Sequence, residues 1–188
     1  MLTKHALRGS MVAIVTPFRH DRVDEPAFKR LIEQQIAGGT SAIVPCGTTG
    51  ESATLSFDEH DRVVELAVQA VRGRVPVIAG TGSNNTREAI RLTQHAKRAG
   101  ADAALLISPY YNKPTQQGLY LHFKAVAEAV PLPLVIYNIQ SRTAVNIEPD
   151  TFARLATIKN IIGVKESSGN LQQMRRILEV TGDRKSVV

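Results

Sequence analysis

The chain has 188 residues, 43% hydrophobic and 21% charged, an ordinary globular composition that excludes wholesale disorder and fits one domain, residues 1–188. Its formal net charge of +6 comes from 23 basic and 17 acidic side chains that are scattered along the chain, which argues against a nucleic-acid partner and is compatible with anionic metabolites. A single cysteine, Cys46, excludes an internal disulfide, no Cys or His spacing marks a metal site, and no signal-like or membrane-spanning apolar run occurs, so the chain reads as cytoplasmic, with no membrane partner.

Short apolar, β-rich runs recur in chain order: "MVAIVTP" from Met11, "SAIVPCG" from Ser41, "PVIAGTG" from Pro76, "AALLISP" from Ala103, "PLVIYN" from Pro133 and "IIGVKES" from Ile161. Their starts are 27 to 35 residues apart, and a helical pattern fills every gap. Pro26 marks a helix start, Ser56 with Glu59 reads as a capping box, Thr86 and Thr115 as N-caps, and Gly38 and Gly100 as stops. Continuous apolar strands alternating with amphipathic helices imply an α/β fold with a parallel sheet covered on both faces.

Such a sheet either closes into a barrel or stays open and doubly wound. The even repeat, with Thr16, Thr48, Thr81, Tyr110, Asn138 and Lys165 following or ending the strands, favours a (β/α)8 TIM barrel with a site at its C-terminal face. Six units are counted, and the chain ends where a seventh strand would start. A barrel truncated after about six βα units is the more economical expectation, an open six-stranded sheet the other.

Lys165 is the residue that poses the question of function. It follows an apolar run at a strand end, where an ammonium must either snorkel to water or be paired or neutralised. "GTTGES", Gly47 to Ser52, offers backbone N–H groups and the Thr48 and Thr49 hydroxyls to a carboxylate, or is a plain strand-to-helix turn. "GTG" at Gly80 to Gly82 lacks the third glycine of a dinucleotide fingerprint, since Asn85 holds its place, and reads as a β-to-α turn. Tyr110, Tyr111 and Tyr137 could simply pack. In a barrel, however, strand ends converge, so Thr48, Tyr137 and Lys165 would share a cavity where a deprotonated lysine attacks a ketone to give a Schiff base and a Tyr/Thr proton shuttle makes an enamine. This is class I aldolase chemistry, with no cofactor.

In combination and order, "GSMVAIVTPF", "CGTTGESATLS", "GTGSNNTREAI", "PYYNKPTQQGLYLHF", "YNIQSRT" and "NIIGVKESSGN" resemble the dihydrodipicolinate synthase (4-hydroxy-tetrahydrodipicolinate synthase) family of pyruvate-dependent class I aldolases, to which N-acetylneuraminate lyase is related. The resemblance implies condensation of pyruvate with L-aspartate 4-semialdehyde in lysine and diaminopimelate biosynthesis, with Lys165 as the Schiff-base residue and Tyr137, Thr48 and Tyr111 as the proton relay, Tyr111 entering a neighbouring subunit. It further implies that Gly47 and Thr49 hold the pyruvate carboxylate and that Arg142 meets the second substrate. Ser52, Ala53, His60, Asn84, Glu88 and Tyr110 match the family's lysine-regulatory surface, and a homo-oligomer, dimer or tetramer, is implied. No metal is implied. Phe57 departs from the polar residue often found there, and Gln140 stands where the family usually has proline. The alternatives are a related sugar-acid aldolase, disfavoured by Thr48, Thr49 and Arg142, and an inactive fragment.

Overall fold

The computed structural model describes residues 2–3, 7–182 and 186–187. The wall begins with β1 (Met11–Ala13), followed by a small antiparallel hairpin of β2 (Phe18–Arg19) and β3 (Arg22–Val23). His20 and Asp21, at φ 50° and 59°, form its two-residue turn. Left-handed backbone at both turn positions matches the strand twist, but the pair carries neither Asn nor Gly, so the hairpin was not anticipated.

Thereafter helices and wall strands alternate. Helix α1 (Glu25–Ala37) leads to β4 (Ala42–Val44), α2 (Phe57–Val71) to β5 (Ile78–Gly80), and α3 (Thr86–Ala99) to β6 (Ala103–Ile107). Helix α4 (Gln116–Ala129) precedes β7 (Leu134–Asn138). Two helices, α5 (Gln140–Thr143) and α6 (Pro149–Leu155), fill the next gap before β8 (Ile161–Glu166), and α7 (Leu171–Thr181) precedes β9 (Ser186–Val187).

Wall pairing is parallel throughout: β1 with β4, β4 with β5 through the Ile43–Val77 bridge, then β5, β6, β7, β8 and β9 in order. Sequential neighbours with helices outside form the wall of a (β/α)8 barrel, as expected, and not a doubly wound sheet. The seventh strand, expected only to be starting, is present as β9.

Local chemistry explains the helix ends. Pro26 lies in the first turn of α1, where its missing N–H costs nothing, and the Asp24 carboxylate accepts from Ala27 N. Ser56 and Glu59 form the expected capping box. Thr115 caps α4, but the cap of α3 is Asn85 and not Thr86, because the Asn85 amide oxygen accepts from Arg87 N at 3.0 Å. Gly100, at φ 94°, ends α3.

Strand alternation divides the apolar residues into layers. Leu105, Val135 and Tyr137 point inward with Leu7, Val44 and Ile78, while Leu106, Leu134 and Ile136 pack outward against Phe123 and Phe152 of the helices. A third cluster seats Phe28 and Ile32 of α1 and Val63, Val64 and Leu66 of α2 on Ile43 and Ala79. Cys46 lies in this layer, where burial pushes its thiol pKa up, so it is not a nucleophile. Among the described residues no helix is long and apolar enough to cross a membrane.

Candidate active site at the C-terminal end of the barrel wall

Lys165 owes its orientation to an irregularity in β8. Leu134 pairs with Ile161, but Val135 pairs with Gly163, so Ile162 is an extra residue. Because side chains alternate with a period of two, this shift aligns Lys165 with Tyr137. Without it the lysine would align with Asn138, whose side chain is on the outer face. The bulge turns Lys165 inward, where it borders a small cavity of about 70 Å3 walled by Leu7, Met11, Ala13, Val44, Ile78, Leu105 and Val135.

The Lys165 side chain is half-buried, and its Nζ lies 4.4 Å from the centre of the Tyr137 ring. Two effects oppose one another: the ring face attracts the charged ammonium, whereas removal from water favours the free amine. Desolvation prevails, and the lysine pKa is lowered from its ordinary 10.5.

Above this chamber a larger hollow of about 360 Å3 is lined by Gly47, Thr48, Glu51, Tyr110, Tyr137 and Arg142 among others. Thr48, Tyr137 and Arg142 are thus brought together as anticipated, but Lys165 borders the inner chamber and not this hollow; Leu105 is common to both, and Tyr137 joins them. The loop bearing Thr48 is held by Thr16 Oγ1, which donates to Gly50 O at 2.8 Å, and by Glu51 at φ 58°. Thr49 is exposed and does not line the hollow. Glu51 lines it and was missed, since a charged residue in a turn reads as surface.

The "GTG" glycines prove to be spacers. A Cβ on Gly80 would strike the Cys46 carbonyl, and one on Gly82 would strike Ile107 N, so both positions require the strand ends to approach closely.

Arg142 is on the four-residue α5 and reaches the hollow while its neighbour Thr143 is buried. Thr143 Oγ1 lies 3.0 Å from the carbonyls of Ile139 and Val145 and 3.4 Å from Ser108 Oγ, pinning the turn to the end of β6. Gln140 is the first residue of that helix, a position proline suits; here the turn is held by Thr143 instead of by a ring.

Tyr111 stands apart. It is 90% exposed at φ 72°, a left-handed conformation unusual for an aromatic residue, and does not line the hollow.

An adjoining hollow of about 60 Å3, which shares Ser52, Ala53, Gly82 and Tyr110 with the larger one, is also lined by His60, Glu88 and Phe57, among others. Five of the six residues singled out for regulation therefore meet; Asn84 does not line it, and its carbonyl accepts from Asn112 Nδ2. His60 Nε2 donates to Gly80 O at 2.9 Å, and burial lowers its pKa. The Tyr110 phenol is raised by burial and by the Glu88 charge. Phe57 lies beneath the Arg91 guanidinium at 4.6 Å, so its ring is partly shielded despite the departure from a polar residue.

Sequence reasoning also missed the buried polar pair beyond the lysine. Asn138 and Glu166 occupy the register position after Tyr137 and Lys165, and the Asn138 amide donates to both Glu166 carboxylate oxygens at 3.2 and 3.0 Å. The available signal was a polar residue directly following each functional one, "YN" and "KE".

Comparison with known proteins agrees with this geometry. A curated 4-hydroxy-tetrahydrodipicolinate synthase from Syntrophobacter fumaroxidans is 68% identical over 176 residues, 94% of this chain and 60% of that protein. The solved structure of the chloride-inhibited dihydrodipicolinate synthase from Acinetobacter baumannii complexed with pyruvate is 50% identical with a TM-score of 0.94, over 96% of this chain and 62% of that one. The solved structure from Cyanidioschyzon merolae with lysine bound is 42% identical with a TM-score of 0.94, over 98% and 63% respectively. The chain thus spans about three-fifths of the length of the relatives it matches. The sequence model of the Dihydrodipicolinate synthetase family matches residues 6–188, and with the barrel wall and these relatives in agreement, the chain belongs to that family.

Proposed function

We propose that this chain carries the Schiff-base site of an enzyme that condenses pyruvate with L-aspartate 4-semialdehyde to 4-hydroxy-tetrahydrodipicolinate, in lysine and diaminopimelate biosynthesis. The observation that supports it most is Lys165: an inward-facing, partly desolvated amine with lowered pKa against the Tyr137 ring. Its free Nζ attacks C2 of pyruvate, water leaves, and a protonated imine forms. Loss of a C3 proton gives an enamine, whose C3 attacks the aldehyde carbon of the second substrate. Tyr137 and Thr48 carry protons between the carbinolamine, the imine and solvent. Amides of the Gly47–Thr49 turn hold the pyruvate carboxylate, Gly47 and Thr48 lining the hollow and Thr49, exposed beside them, taking part only if its amide turns inward on binding, and Arg142 holds the carboxylate of the semialdehyde. Tyr111 completes the relay from a second copy of the chain in a dimer or tetramer, a role that fits its exposure and its left-handed backbone. The reaction uses the lysine amine itself and no metal or organic cofactor, and the cytoplasm is its setting. The relative complexed with pyruvate supports the choice of first substrate.

Treatment with pyruvate and borohydride should add one pyruvate-derived mass at Lys165, and Lys165→Ala should abolish it. The rate of capture should rise with pH through a midpoint below 10.5, because the lowered pKa frees the amine earlier than in an ordinary lysine. An adduct on another lysine, or a midpoint at or above 10.5, would refute the assignment.

The hollow between Ser52, His60, Glu88 and Tyr110 we assign to feedback by lysine, with the Glu88 carboxylate receiving an ammonium; the relative with lysine bound supports this reading. A charge-assisted hydrogen bond is worth about 1.5–3 kcal/mol, so Glu88→Gln should weaken lysine inhibition roughly 10- to 100-fold. Unchanged inhibition would remove Glu88 from the site.

A further inference from the structure

Asn138, Asn146, Glu166 and Gln173 form a polar cluster on the outer face of the wall, directly behind Tyr137 and Lys165, buried at Asn138 and Glu166 and partly buried at Asn146 and Gln173. Asn138 is fully buried and Glu166 nearly so. Each donor and acceptor in the cluster has a specific job. Asn138 Oδ1 accepts from Ile147 N at 3.0 Å, while its Nδ2 donates to Asn146 Oδ1 at 2.9 Å and to the Glu166 carboxylate. Asn146 and Gln173 exchange a reciprocal pair, at 2.8 and 3.0 Å. The Glu166 carboxylate also accepts from Ser168 N at 2.8 Å and from Gln173 Nε2 at 3.4 Å.

The topology gives this cluster a consequence. The segment from Ile139 to Asn146 leaves the end of β7, carries Arg142 on α5 and returns, and Asn138 closes its neck by bonding to both Asn146 and Ile147. Glu166, the residue next to Lys165, is tied to that neck through Asn138, and Gln173 ties it to the first turn of α7. Carboxylate oxygens that face only N–H donors fix the orientation of each amide, so the cluster has one satisfied arrangement.

We propose that Asn138, Asn146, Glu166 and Gln173 are positioning residues that fix the distance between Arg142 and Lys165, and so govern use of the second, carboxylate-bearing aldehyde substrate without governing capture of pyruvate. This rests on the functional reading above. Pyruvate meets Lys165 on the inner face of the wall, where β7 and β8 are in register from Val135 and Gly163 through Tyr137 and Lys165 besides the Asn138–Glu166 pair. The aldehyde's carboxylate meets Arg142, whose segment is held at its neck by the cluster.

The experiment compares the protein with its Asn146→Ala, Arg142→Ala and doubly substituted forms, reading borohydride-trapped pyruvate at Lys165 and kcat and KM for aspartate semialdehyde. Asn146→Ala should lower kcat/KM for the aldehyde about 10- to 100-fold, mainly through KM, the size expected for a misplaced holding group. Pyruvate capture should stay within about twofold. In the Arg142→Ala background Asn146→Ala should cost less than about twofold more, because both act through one contact. A loss that persists undiminished in that background, a parallel fall in pyruvate capture, or an unchanged aldehyde KM would each overturn the proposal. Should Asn146→Ala fail to fold, Glu166→Gln, which keeps the shape but sets an amide donor against donors, must give the same pattern or the proposal fails. A parent protein that traps no pyruvate at Lys165, or traps it without condensing it with the aldehyde, refutes the functional reading itself; a parent that does both, with variants that depart from the pattern above, overturns only the role given to the cluster.

Discussion

Tyr137→Phe should lower turnover by roughly 10^2- to 10^4-fold, the range of a general acid–base group, while pyruvate remains trappable on Lys165. The substitution removes one oxygen and nothing else: the ring, 6% exposed, would keep its packing among Val135, Leu105 and Ile139 and its face towards the Lys165 Nζ. The lysine environment, and with it the fraction of free amine, should therefore be preserved. What is lost is the hydroxyl that we propose moves protons between the inner chamber and the larger hollow. Steady-state rates together with mass spectrometry of the reduced adduct separate the two effects. Turnover within tenfold of the parent would show that Tyr137 serves only as packing.

A second large effect concerns acid. His122 lies on α4, 6% exposed, with Nδ1 2.9 Å from Thr86 Oγ1, its ring edge-on to Phe123 and its Nε2 buried without a hydrogen-bond partner among the described residues. Burial lowers its pKa from 6.5 to about 4. The folded protein therefore keeps this ring neutral where the unfolded chain already binds a proton. Stability from this group is full above pH 6.5, falls as the pH drops towards about 4, and is level below that. The loss amounts to about 3 kcal/mol. Urea unfolding at neutral and at mildly acidic pH should show it, and His122→Gln, which retains a polar partner for Thr86 but does not titrate, should remove that part of the pH dependence. Carboxylates contribute their own acid loss, so the readout is the difference between parent and variant; an identical slope in both would show that His122 is not the origin.

Much of this molecule was legible in its residues because the signals are local. Capping by Ser56 and Thr115, the stop at Gly100 and the apolar strand runs each depend on neighbours a few positions away, and a regular βα spacing leaves few topologies. Thr86 was mistaken for a cap because Asn85 and Thr86 are adjacent and both suitable; backbone geometry chose Asn85. The β2–β3 hairpin escaped notice because its His-Asp turn lacks the glycine that usually marks left-handed backbone.

The site was legible only in part. The apolar run before it singled out Lys165, convergence of strand ends grouped it with Thr48 and Tyr137, and the family resemblance added Arg142; the alternation of strand and helix placed those strand ends on one face. Counting by twos along an unbroken β8, however, sets Lys165 opposite Asn138 and on the outer layer. The extra residue at Ile162 reverses that parity, and a bulge has no dependable mark in an apolar run such as "IIGV", since either isoleucine suits either face. The sequence by itself determined the βα order, helix ends such as those at Ser56, Thr115 and Gly100, and the presence of an amine-bearing strand end. Only the tertiary structure decided that this amine faces inward against Tyr137, and that Asn138 and Glu166 meet behind it, because both depend on the register between β7 and β8, which is set by pairing across the sheet and not along the chain.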